Sequence, residues 1–108
     1  MKLLFAIIQD EDSRALTKAL IEHEISVTRI SSSGGFLRGG NTTLMIGVEK
    51  ARLEDTLDII KAKSRRKAVT VASPSVPGSG DGSAPIPIQV TVGGATVFIV
   101  DVEAFYKF

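Results

Sequence analysis

Apolar and polar positions alternate between two periods along this chain, and the switches mark its elements. Leu3 to Ile8 is an unbroken apolar run, the pattern of a strand central in a sheet. "QDEDSRALTKALIEHE" follows with Leu16, Ala19, Leu20 and His23 at helical spacing and Ala15 beside them, which predicts a helix of about three turns. Asp10 or Asp12 is positioned to cap its first amides, and acidic residues suit that positive end. "ISVTRIS" then alternates as a strand and ends in the glycine-rich "SSSGGFLRGGNTT". "TTLMIGVE" reads as a third strand, and "KARLEDTLDIIKAK" as a second helix with Leu53, Leu57 and Ile60 on one face. "AVTVAS" is a short strand.

Residues 74–85, "PSVPGSGDGSAP", hold three prolines, three glycines and three serines, the composition of a flexible connection. In "IPIQVTVGGATVFIVDV", Ile86, Ile88, Val90 and Val92 alternate up to Gly93-Gly94, and Ala95 to Val102 return. That predicts a C-terminal β-hairpin turned by the glycine pair. The β-α-β, loop, β-α-β order predicts an α+β fold, a ferredoxin-like βαββαβ sandwich with both helices on one face and the hairpin added. A sheet face without helices would remain, and strands such as "TLMIG" and "TVFIV" carry more apolar residues than one helix layer covers. Packing of subunits on that face is expected.

Composition narrows the function classes. The 108 residues suit one domain, 44% hydrophobic and 23% charged. Thirteen basic against twelve acidic residues argue against a protein that coats nucleic acid polymers or an anionic membrane. With no cysteine, disulfide scaffolds and cysteine metal sites are excluded. The opening apolar run is too short to span a bilayer and lacks a cleavage site, so a cytoplasmic protein without membrane insertion is the expectation.

Most motifs reduce to structure. Gly35 to Thr42 has Walker A spacing with Asn41 in place of the lysine, but a strand-like run follows where a helix is required, so that reading fails. His23, the sole histidine, reads as a core or helix-terminal residue, since a metal site needs several donors. The basic "KAKSRRK" sits at a helix C-terminus, where the dipole favours positive charge. No catalytic triad can be assembled, and no enzyme is expected. A phosphate cradle after the first strand would meet the acidic "QDEDSR".

The glycine loop keeps its chemical interest. Gly34 and Gly35 let backbone amides face an anion. Asn41 offers a donor and an acceptor to a purine edge. Phe36 and Leu37 suit a base face, and Thr28 and Arg38 offer phosphate donors. A plain turn with polar ends is the competing reading.

"AIIQDEDSRALTKAL", "SSSGGFLRGGNTTLMIGVE" and "VTVGGATVFIVDVEAF" together closely resemble the PII-like cyclic di-AMP receptor family, over nearly the whole chain. The resemblance implies a homotrimer of ferredoxin-like subunits, one domain over residues 1–108. It implies a short loop at 34–41, a long connection at about 68–85, and cyclic di-AMP bound in clefts between subunits. Binding would be signalled through loop ordering to a downstream protein. It carries ligand contacts to Thr28, Gly35, Phe36, Leu37, Asn41 and Gly47, with Phe98 as an apolar wall. No cofactor is implied. A regulator of another adenine nucleotide, such as ATP, is the rival reading. The chain departs from the family where an asparagine and an arginine are usual before the threonine: it has Glu24 and Ser26, leaving Arg29 or Arg38 to compensate.

Overall fold

A computed structural model describes residues 1–32, 40–72 and 87–108. The elements run β1 (Lys2–Gln9), α1 (Asp10–Glu22), β2 (Val27–Ser32), β3 (Asn41–Val48), α2 (Leu53–Ser64), β4 (Lys67–Ala72), β5 (Pro87–Val92) and β6 (Ala95–Asp101). One 3-10 turn, Lys50–Arg52, leads into α2. The glycines and apolar pair at 34–39, and the Pro/Gly/Ser connection at 74–85, lie outside the described residues.

Four strands form an antiparallel sheet in the order β2-β3-β1-β6, an α+β arrangement consistent with the ferredoxin-like fold. β1 lies inside it because its run of apolar residues can serve both faces. Leu4, Ala6 and Ile8 point to the helices, where they meet Leu16 and Leu20 of α1 and Ile60 of α2 in one core. Leu44 and Ile46 of β3 join them from the next strand. Each such leucine or isoleucine, fully buried, contributes roughly 1.5–3 kcal/mol over exposure.

The helix ends are closed in ways the sequence did not announce. Gln9 occupies the cap position of α1 and makes no side-chain capping bond, so neither Asp10 nor Asp12 acts as the expected cap. At the other end His23 is helix-terminal: its Nδ1 lies 2.8 Å from the carbonyl of Ala19. The amides of Glu24 and Ile25 then donate to Ile21 and Leu20 (2.9 Å each), and Glu24 takes a left-handed φ of 59°. This is the double bond of a Schellman ending, with glutamate where glycine or asparagine is usual.

The expected C-terminal hairpin is not how these strands pair. β5 pairs with β4 in a separate two-stranded sheet, Lys67 opposite Val92 and Ala72 opposite Pro87. β6 instead crosses to the open edge of β1, Phe98 opposite Phe5. Gly93 and Gly94 do have positive φ angles, 83° and 92°, but they carry the chain from one sheet to the other. The Gly94 amide donates to the carbonyl of Ser64, at the end of α2. A Cβ on Gly93 would stand 2.7 Å from the carbonyl oxygen of Arg65, so a side chain has no room there. The local turn signal was right about backbone angles and silent about partners. Which strand β6 joins is decided by the free edge of β1.

The molecule measures 66 × 23 × 18 Å. Its radius of gyration is 18.4 Å, against about 13 Å for a compact chain of this length.

Candidate functional site

The sheet face away from the helices gathers the candidate residues by register. Thr28 lies opposite Met45, Met45 opposite Phe5, and Phe5 opposite Phe98, so one row crosses all four strands. Side chains alternate between faces along a strand, which puts this row on the side opposite Leu4 and Ile46. The neighbouring row is Gly47, Leu3 and Val100. A groove of about 400 Å³ opens over this region, within the range of small-molecule sites. Leu3, Met45 and Met1 supply apolar surface, Ser26 and Thr28 supply hydroxyls, and Val102 and Phe105 close it.

Of the residues implied by the family resemblance, Thr28 and Gly47 line this groove. Phe98 shares the row of Thr28 and is 48% exposed. Asn41 starts β3 on the same face as Met45 and Gly47 but is buried. Six residues separate it from Gly47, about 20 Å along an extended strand. Gly35, Phe36, Leu37 and Arg38 lie outside the described residues.

Ser26 stands in the groove beside Thr28, where an arginine would project into it. Glu24 lies at its margin, in a small hollow shared with Ser26 and Gly47, and its left-handed backbone makes it the last link of the α1 ending. An asparagine at that place would relieve the backbone, since its short polar side chain tolerates the left-handed region. Arg29 does not take the place of the missing cation. It pairs with Leu44 on the helix side of the sheet and lines a different groove with Arg14 and Lys18 of α1.

Phe105, Met45 and Leu3 were missed by sequence reasoning. The alternation in "TLMIG" does place Met45 and Gly47 on one face. Phe105 carried no such signal, because its position depends on the path of the chain beyond β6. There the amide of Val102 donates to the carbonyl of Met1 at 3.1 Å, bringing the C-terminal residues against the start of β1. At the same rim Lys2 pairs with Asp101, and that hydrogen bond, followed by the lysine charge, holds the Asp101 carboxyl below its usual value. Among the described residues no group of three or more His, Asp or Glu side chains converges to hold a metal, and no helix is long and apolar enough to cross a membrane.

A solved structure of a functionally unknown protein from Pediococcus pentosaceus is similar, with 39% identity and a TM-score of 0.78 over 99% of this chain and 96% of that one. The family model described as cyclic-di-AMP receptor matches residues 1–108, the whole chain. With a match that spans the whole chain, the chain belongs to the cyclic-di-AMP receptor family.

Proposed function

We propose that this chain is a cytoplasmic bacterial second-messenger receptor, not an enzyme, that binds cyclic di-AMP in clefts between the subunits of a homotrimer. The whole-chain family match carries the ligand. The groove lined by Thr28 and Gly47 supports its location on the helix-free face. That face also exposes Ile30, Phe98 and Val100, each at 40% or more, which is apolar surface of the kind a second subunit covers.

In this reading Thr28 donates its hydroxyl to a phosphate, the glycine-loop amides and Arg38 supply further donors, and Asn41 reads the edge of one adenine. Phe36 and Leu37 lie against the base, Gly35 and Gly47 keep the backbone clear of the ligand, and Phe98 closes the apolar side. Ordering of the loops presents a changed surface to a downstream protein.

Calorimetry with cyclic di-AMP and ATP on the wild type, Asn41→Ala and Ser26→Arg tests this, with native mass measured alongside. Cyclic di-AMP should bind once per protomer of a trimer and outcompete ATP. Asn41→Ala should weaken binding by about 1–3 kcal/mol, through loss of a buried polar partner. Ser26→Arg should strengthen it by about 1.5–3 kcal/mol, through a charge-assisted bond. A wild type that takes up no cyclic di-AMP at high micromolar concentration ends the proposal.

A further inference from the structure

Asp10 opens α1 immediately after β1, in the acidic stretch that neither capping nor catalysis accounts for. Its groups reach instead to the other side of the glycine segment. Oδ1 accepts the Thr42 hydroxyl at 2.6 Å. Its backbone amide donates to the carbonyl of Gly40 at 3.0 Å. Oδ2 fills the space a Cβ on Gly40 would need, so glycine is the residue that lets the carboxylate approach. Thr42 is 1% exposed and faces the helices, opposite Ile8, while Asp10 is exposed, so the bond runs from the buried face to the protein surface.

Gly40 and Thr42 are the two chain neighbours of Asn41. Because successive strand residues face opposite ways, tying Thr42 to the helix side turns Asn41 toward the open face. One side chain and one amide thus hold both neighbours of Asn41 and set its direction.

We infer that Asp10 is a positioning residue for the nucleotide site, acting through Gly40 and Thr42 rather than by touching ligand. The inference rests on the reading that Asn41 contacts the nucleotide. Removing the latch leaves the competent arrangement only fractionally populated, and apparent affinity falls by that fraction.

Five variants and the wild type test it: Asp10→Ala, Thr42→Val, the double variant, and the conservative Asp10→Asn and Thr42→Ser, which keep an acceptor and a hydroxyl. Cyclic di-AMP affinity is measured by calorimetry, well below each melting temperature. Asp10→Ala and Thr42→Val should each weaken binding about ten-fold, and the double variant should be no weaker than the worse single, as expected for one shared bond. The conservative pair should stay within about two-fold of wild type, a rescue that general destabilisation would not produce. Amide exchange at Asn41 and Thr42 without ligand should quicken in the first three and return to wild-type rates in the last two. Near-wild-type affinity in Asp10→Ala and Thr42→Val overturns the inference, as does unchanged amide exchange. A wild type that binds no cyclic di-AMP removes the proposed function instead, and the exchange rates then decide whether the latch exists.

Discussion

The four-stranded sheet and the β4–β5 ribbon are built from similar alternating residues but held by different physics. In the sheet, every second residue of β1 and β3 faces the helices, and a one-residue slip would drive Leu4, Leu44 and Ile46 to the opposite face. In the ribbon both strands are edges. Ile88 is 43% exposed, and the side-chain bond across it joins Gln89 to Thr70 at 3.3 Å. A two-stranded sheet standing alone is marginal in water. The same pattern of apolar alternation therefore specifies structure only where a second layer receives it.

The largest effect expected from this contrast is at Leu4. Leu4→Ala should lower unfolding free energy by about 2–5 kcal/mol, whereas Ile88→Ala should stay within about 0.5 kcal/mol, both by denaturant titration. Equal losses would break the contrast and show that another copy buries the ribbon. A smaller effect is expected where the two regions join. Gly93→Ala forces a non-glycine residue to a positive φ and against the Arg65 carbonyl, a cost of about 1–3 kcal/mol seen as a lower melting temperature. No change there would mean the junction relaxes freely.

The smallest effect lies at the rim, where Lys2 and Asp101 pair across β1 and β6. The Asp101 carboxyl is held below its ordinary value of 3.8, so the pair stabilises the folded chain above that value. The contribution is lost as pH falls through the lower folded value. Asp101→Asn should therefore melt slightly earlier than wild type near neutral pH, with the gap closing in acid and in high salt. A gap that widens in acid would reverse the assignment.

Much of the sheet was legible because its elements announce themselves locally. The run Leu3 to Ile8, the spacing of Leu16, Ala19 and Leu20, and the alternation of "TLMIG" all describe which face is buried. The pairing of β4, β5 and β6 was not legible. Gly93-Gly94 encodes backbone angles, while partner choice depends on the free edge of β1, far away in sequence. The site divides along the same line. Thr28, Gly47 and Phe98 came from likeness to a family, and cross-strand register explains why the first two share a groove and the third shares their face. Phe105 and Asp10 act across long sequence separations that no periodicity reports. Glu24 was noticed as a missing ligand contact, and its backbone angle gives it a second task.

The bond from the Gly94 amide to the Ser64 carbonyl has a mechanical meaning. It pins the ribbon at its base to the last turn of a helix rooted in the core, on a pivot with no side chain at either glycine. A load on the ribbon reaches α2 through that pin, and β6, with Phe98 on it, through the next peptide. Torque applied to the ribbon is thereby delivered to the edge strand of the helix-free face.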